Sequence, residues 1–361
     1  MTNFITAHIK NQIGFITLDR PKTLNSLSLA MIRSITQTLL EWKTDDNVRA
    51  VFIHGSHARA FCAGGDIRFF YDVGTASPKG DSALLEDFFT EEYALNYLIH
   101  TYTKPYISLL HGVVMGGGMG IAQSGPDNQL RIVTERTKMA MPEVNIGLFP
   151  DVGGGYFLSR CDGEIGTYLG LTGAIITAAD AIYAGLADVY LPGEQIPALM
   201  TWLETNQESD LREGLRHFVA PWQSQLGESQ LAQHRHSIDQ HFAHNQVAPI
   251  YQALKSDPSA FAKETYALMQ TRSPLLMCVT LEQLRRSKTM TVADCLRLER
   301  SMVRHCFKHG EVLEGVRALM VDKDMKPQWQ PASLEDVSNE LIQSFFDPVW
   351  PHYAHPLREL V

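Results

Sequence analysis

The chain has 361 residues, of which 45% are hydrophobic and 20% charged, with 26 Gly and 17 Pro, which excludes disordered, collagen-like and coiled-coil classes. Its 31 Lys and Arg against 40 Asp and Glu leave a net charge of −9, a balance that argues against wholesale adhesion to nucleic acid or to an anionic membrane. No run of about 18 apolar residues suggests a membrane span, and five scattered cysteines without a Cys-x-x-Cys pair point to a reducing cytoplasm rather than a disulfide framework.

The alternation of Phe4 to Lys10 and Ile13 to Leu18 around Asn11-Gln12 predicts a hairpin, ended by Arg20-Pro21. Met31, Ile32, Ile35, Leu39, Leu40 and Trp42 recur at helical spacing, so a helix is predicted over 28–43 with Ser28 as its cap. Val51-Phe52-Ile53 and Tyr106 to Leu110 read as buried strands, each running into His-Gly, with a long helix from Leu84 to Thr101 between them. Leu130 to Thr134 and Lys138 to Met141 read as two more strands, followed by a Gly-rich turn and a helix from about Gly155. Near Pro192 the character changes, and Ile196 to Phe242 and Ile250 to Phe307 are polar and helical in pattern. The expected division is therefore a strand-rich part over 1–200 and a helical part over 201–361, with the boundary between about 190 and 210.

Two glycine loops follow the strands: Phe61-Cys62-Ala63-Gly64-Gly65-Asp66-Ile67-Arg68 and Met115-Gly116-Gly117-Gly118-Met119-Gly120. Glycine lets a ligand approach bare backbone amides. Neither loop has the Gly-Lys-Ser/Thr of a phosphate loop, and the second breaks the dinucleotide spacing because its sixth position is Ile121. Two such loops suggest amide donors converging on a developing oxyanion, against the simpler reading that the glycines allow close packing. A third segment, Met141-Pro142-Glu143 through Gly155-Tyr156, sets Glu143 and Asp151 eight residues apart in apolar surroundings, where desolvation raises a carboxyl pKa and makes an acid or base. The competing reading makes Glu143 a turn cap and Asp151 the cap of a helix beginning near Val152.

The combined motifs resemble the crotonase (enoyl-CoA hydratase/isomerase) superfamily. The resemblance rests on Arg20-Pro21-Lys22-x-Leu24-Asn25-Ser26-Leu27, Ala60 to Ile67, Gly116-Gly117-Gly118, Met141-Pro142-Glu143 through Gly155, Leu171-Thr172-Gly173 and Gly185-Leu186-Ala187-Asp188. Phe88-Phe89-x-Glu91-Glu92-Tyr93, Gly147 to Leu158, Glu314-Gly315-Val316-Arg317-Ala318, Asp322-Lys323-Asp324 and Pro327-x-Trp329 further resemble its 3-hydroxyisobutyryl-CoA hydrolase branch. The resemblance implies an α/β spiral of strand-strand-helix repeats carrying the CoA and catalytic site, with a helical C-terminal region that covers the site or forms subunit contacts.

It also implies a short 3-hydroxyacyl-CoA thioester as substrate, foremost 3-hydroxyisobutyryl-CoA in valine breakdown. Coenzyme A belongs to the substrate, no other cofactor or metal is implied, and a homo-oligomer stays open. The backbone N–H groups of Ala63 and Gly117 would hold the thioester oxygen. Gly64, Gly65, Asp66 and Ile67 would line the CoA path, Lys22, Arg68 and Lys323 are candidates for its phosphates, and Glu92 would bind the acyl hydroxyl. Glu143 and Asp151 would be the catalytic pair, with Glu143 either activating water or attacking the carbonyl. The family's hydratases carry a glutamate just after the triple glycine, where this chain has Gly120, which disfavours a two-glutamate hydratase. The alternatives are an enoyl-CoA hydratase or isomerase using Glu143, and a non-catalytic CoA-binding scaffold. A Cys62 nucleophile with His54, His57 or His111 as base is disfavoured, and His234, His236, His241 and His244 read as a solvated helix face.

Overall fold

A computed structural model describes residues 4–77, 82–123, 125 and 128–361. The first hairpin forms as the alternation predicts. β1 (Ile5–Lys10) pairs antiparallel with β2 (Ile13–Leu18), with Ile5 opposite Leu18. Asn11 and Gln12 both take positive φ, the backbone of a two-residue turn whose twist matches the strands.

From β2 onward the chain repeats one pattern. β3 (Ala50–Gly55) adds parallel to β2, and the chain then makes β4 (Ala60–Cys62); β5 (Tyr106–Leu110) is followed by β6 (Val113–Met115), and β7 (Gln129–Val133) by β8 (Lys138–Ala140). Each repeat thus gives one strand to a six-stranded sheet in the order β1-β2-β3-β5-β7-β9, with β9 at Val189–Tyr190, and one to a three-stranded parallel sheet in the order β4-β6-β8. The sequence reading contained β3, β5, β7 and β8 but missed β4, β6 and β9. These have three residues or two and show no periodicity, and β4 and β6 run directly into the segments read as glycine loops.

The contacts divide the chain into two compact units: one of Met1–Gly65, Leu95–Ala140 and Ile175–Ala232, the other of Asp66–Ala94, Met141–Ala174 and Gln233–Val361. Both are discontinuous in sequence, whereas the expected division cut the chain once at 200. A composition shift records where strands give way to helices, while a compact unit gathers whatever segments bury surface together. All nine strands among the described residues lie in the first unit, where Phe15, Phe52, Ile107, Leu130 and Ile132 pack on Leu199, Leu203, Leu211 and Leu215 of the helices Ile196–Thr205 and Leu211–Val219. In the second unit the core holds Val144, Leu171, Phe242, Ile250, Met277 and Leu281. Its helical stretch is broken into Gln230–Phe242, Val247–Ser256, Ala260–Met269, Pro274–Ser287 and Val292–His309. Ser259, Ser273 and Thr291 cap the last three through their side chains. Among the described residues, no helix is long and apolar enough to cross a membrane.

The helix predicted over 28–43 runs from Leu29 to Thr44, with the Ser28 side chain accepting from the Met31 amide. That expected from about Gly155 is a single short turn, Gly154–Leu158. His241 departs from the solvated-face reading: its side chain is buried and its Nε2 lies 2.8 Å from Asp257 Oδ2. Helix Gln230–Phe242 therefore turns His241 inward as part of its packing.

Candidate active site

In the first unit the two glycine loops lie against each other. Gly64 has φ +102°, and a Cβ there would stand 3.2 Å from the Met115 carbonyl oxygen and 3.6 Å from the Gly117 nitrogen. A side chain on Gly118 would run into the Cys62 backbone. Both glycines are thus required by close backbone approach, one of them also by its left-handed conformation. The oxyanion reading needs one correction. The Ala63 N–H donates to the Leu24 carbonyl at 3.0 Å, so that amide is spent on holding the loop to the segment after the 3-10 turn Pro21–Thr23. Gly117 is buried at the start of the one-turn helix Gly117–Gly120. Cys62 is buried, with Sγ 3.8 Å from the Gly64 carbonyl oxygen.

The other residues of the first loop belong to the second unit from Asp66 on. Asp66 caps the helix Ile67–Ala76, its side chain accepting from the Phe69 amide at 3.2 Å, and Ile67 is the first helical residue. The Arg68 guanidinium pairs with Asp72 at 2.9 Å on the surface. Lys22 and Lys323 are exposed, Lys323 with a left-handed backbone.

The second unit gathers the acids. Pro142 opens the 3-10 turn Glu143–Ile146, and Gly147, with φ +70°, closes it. The turn is held by Ser273, whose amide donates to the Val144 carbonyl at 3.2 Å. Glu143 is 6% exposed and its Oε2 is buried with no hydrogen-bond partner among the described residues. Asp151, 5% exposed, does not cap the following helix, whose N-cap is Gly153. Its Oδ2 instead accepts from the Tyr93 hydroxyl at 2.6 Å. Tyr93 and Glu92 project from the helix Ala83–His100. That part of the helix is fixed by an aromatic cluster, with Phe70 against Phe88 and Phe89 at 4.8 and 4.9 Å and Phe89 against Phe307 at 5.6 Å. Glu92 is buried, with Oε1 lacking a partner in the same sense.

Four carboxyl groups shape one another's protonation. Burial, then the charge of Asp151, pushes Glu143 and Glu92 well above the usual carboxyl range, and Glu143 is raised further by Glu92 and Glu299. Burial also raises Asp151, but the Tyr93 hydroxyl and its own amide hold it to about 6. Burial thus favours the protonated forms of Glu92 and Glu143, while the Tyr93 hydroxyl favours the ionised form of Asp151. Such a cluster can deliver and receive protons without bulk water. The two unpartnered carboxyl oxygens are the groups that a bound hydroxyl or water would satisfy.

Sequence reasoning missed Glu299 and Gln283. Glu299 is fully buried in the helix Val292–His309 and accepts from the amides of Gly153 at 2.8 Å and Gly155 at 3.0 Å. Gln283 Nε2 donates to the Pro150 carbonyl at 2.8 Å and to Glu299 at 3.2 Å. A signal existed, because Glu299 stands three residues from Leu296 and from Met302, on the apolar stripe of its helix.

The parallel spiral, the paired glycine loops and the buried Pro-Glu turn define a crotonase-type protein. Residues 13–346 match the enoyl-CoA hydratase/isomerase family, and the chain belongs to it. Within that family it is similar to the protein named 3-hydroxyisobutyryl-CoA hydrolase, mitochondrial, in two vertebrates. It is 39% identical to that of Gallus gallus and 37% identical to that of Homo sapiens, in each case over 93% of this chain and 86% of the relative. Two solved structures superpose closely. A carnitinyl-CoA dehydratase from Mycobacterium thermoresistibile has a TM-score of 0.88 and 37% identity over 97% of this chain and 98% of that one. An enoyl-CoA hydratase from Rhodobacter sphaeroides has a TM-score of 0.85 and 34% identity over 96% and 98%.

Proposed function

We propose that this protein hydrolyses a short 3-hydroxyacyl-CoA thioester, with 3-hydroxyisobutyryl-CoA the foremost substrate, to the hydroxy acid and free CoA. The observation that carries the reading is the buried Glu92–Glu143–Asp151 cluster, in a chain similar along most of its length to hydrolases of that name. In the reaction Glu143, as carboxylate, takes a proton from water as the water oxygen bonds to the thioester carbonyl carbon. The carbonyl oxygen becomes an oxyanion received by backbone amides, and collapse breaks the carbon–sulfur bond, with the thiolate leaving to be protonated. In the covalent variant Glu143 attacks the same carbon, CoA leaves, and water cleaves the mixed anhydride. Asp151 orients the water or the acyl hydroxyl, and Glu92 binds the hydroxyl.

The oxyanion donors are assigned to Gly117 and, in place of Ala63, to the next amides of the same loop, Gly64 and Gly65. Asp66 and Ile67 flank the CoA path, and Lys22, Arg68 and Lys323 are offered to its phosphates. Coenzyme A enters as part of the substrate. The compartment on the sequence reading is the cytoplasm, whereas the relatives are named as mitochondrial. A homo-oligomer stays part of the proposal, to be checked by light scattering.

A hydratase reading is favoured by the likeness to a carnitinyl-CoA dehydratase and an enoyl-CoA hydratase; Gly120 after the triple glycine speaks against its two-glutamate form. The test is purified protein with 3-hydroxyisobutyryl-CoA, 3-hydroxypropionyl-CoA and crotonyl-CoA, following free thiol and enoyl absorbance together. Thiol release from the hydroxyacyl esters is expected. Loss of enoyl absorbance without thiol would move the assignment to a hydratase, and CoA binding without either would make the protein a scaffold.

A further inference from the structure

Glu299 lies outside every motif that carries the family resemblance, yet it occupies the centre of the turn that presents Asp151. That turn is strained. Val152 has φ +55° and Gly153 φ +86°, so two successive residues are left-handed and one of them is β-branched, a conformation that persists only where its surroundings impose it. The left-handed pair points the amides of Gly153 and Gly155 the same way, and both donate to Glu299, one to each carboxylate oxygen. Gly155 has no room for a side chain there. A Cβ would stand 2.7 Å from Ser287 Oγ, 3.0 Å from Gln283 Nε2 and 3.1 Å from Glu299 Oε1. Gln283 ties the other flank of Asp151 by its bond to the Pro150 carbonyl.

The next residue on the same helix extends the arrangement. Arg300, also buried, donates from Nε to Thr90 Oγ1 at 2.9 Å and from Nη2 to Glu86 Oε2 at 2.5 Å, under the Trp350 ring. Glu86 and Thr90 belong to the helix that carries Glu92 and Tyr93. Consecutive residues of one helix therefore grip both partners of the Tyr93–Asp151 hydrogen bond, Glu299 the acceptor's turn and Arg300 the donor's helix.

We propose that Glu299 is a positioning residue for the reaction, a carboxylate that clamps the Gly153 and Gly155 amides so that Asp151 is held to Tyr93 in the orientation catalysis requires. The proposal rests on the thioester-hydrolase reading. Glu299→Gln preserves shape, but its NH2 group meets one of the two amides as donor against donor, so one bond is lost. The groups whose charge acts on Glu143 are Asp151 from the turn, Glu92 from one helix and Glu299 from another.

Thiol release by Glu299→Gln, Glu299→Asp and Glu299→Ala, with hydrogen exchange of the Gly153 and Gly155 amides, tests the proposal. For Glu299→Gln a fall in kcat on the order of 100-fold is expected, the size of effect that a misplaced group produces, with KM within about twofold. Glu299→Asp should retain more activity than Glu299→Ala. Faster exchange of the two amides in a folded Glu299→Gln protein would support the clamp by a readout independent of turnover. Unchanged exchange, or unchanged kcat per folded molecule in Glu299→Gln, would overturn it, whether or not Glu299→Ala folds. Failure of the wild type to release thiol would instead sink the hydrolase reading, and amide exchange would still decide whether the clamp exists.

Discussion

The first compact unit and the second solve opposite problems. The first holds every strand and offers backbone: Gly64, Gly117 and Gly118 keep side chains away so that chain can approach chain. The second is helical and offers side chains, four carboxyl groups buried together with Tyr93. Backbone donors carry no charge to titrate and are fixed by glycine geometry. Buried carboxylates carry charge whose cost depends on every neighbour, so the second unit spends Glu299, Gln283 and Arg300 on keeping Asp151 and Tyr93 in place. On the proposed reaction, pH sensitivity would belong to the helical unit and pH-independent stabilisation of the oxyanion to the β unit.

Three substitutions break or sharpen that contrast. Gly117→Pro removes one N–H at a first helical position, where proline fits. Loss of an oxyanion donor lowers kcat by roughly 100- to 1,000-fold, and the shape of the pH profile should be unchanged; an altered profile would show that the β unit does take part in the titration. Tyr93→Phe removes the hydroxyl that stabilises the Asp151 carboxylate, so the Asp151 pKa should rise from about 6 and the acidic limb of the rate profile should move upward. At pH 6 a loss of about fivefold follows from a one-unit rise, shrinking as the pH increases; a uniform loss at all pH values would contradict the electrostatic part of the account.

The smallest effect is on stability. Burial raises the Glu92 carboxyl, so the native state binds that proton more tightly than the unfolded chain. Stability contributed this way is complete below the unfolded pKa and is lost as pH rises toward the folded one. Glu92→Gln should therefore gain stability relative to wild type with increasing pH, at up to about 1.4 kcal/mol per pH unit. Calorimetry at pH 5 and pH 8 reads this, and an equal difference at both would mean that Glu92 is not buried with its proton.

How much of this was legible in the sequence follows the same divide. The hairpin, the parallel strands with regular patterning and the Ser28 cap were readable because local periodicity and capping chemistry decide them. β4 and β6 were not, since three-residue strands take their character from the sheet they join. Glu143 and Asp151 drew attention as acids in an apolar run and Glu92 came only from the family resemblance, whereas the bond from Tyr93 to Asp151, 58 residues away in the chain, was not legible. Ala63 was offered to the oxyanion on the family resemblance, and only its bond to Leu24 shows that the amide is committed. His241 and Glu299 share one lesson. Each looked like an ordinary polar residue of a polar helical stretch, and each is buried by partners that the chain brings from elsewhere, Asp257 for one and the Gly153–Gly155 turn for the other.

Thiol release from 3-hydroxyisobutyryl-CoA by wild type and by Glu143→Gln, at saturating substrate, tests most directly the claim that the carboxylate cluster performs hydrolysis. Rapid release by the wild type and a loss of about 1,000- to 10,000-fold in the variant are expected, with substrate still bound. Release that survives the substitution within about tenfold would contradict the account and locate the chemistry away from Glu143.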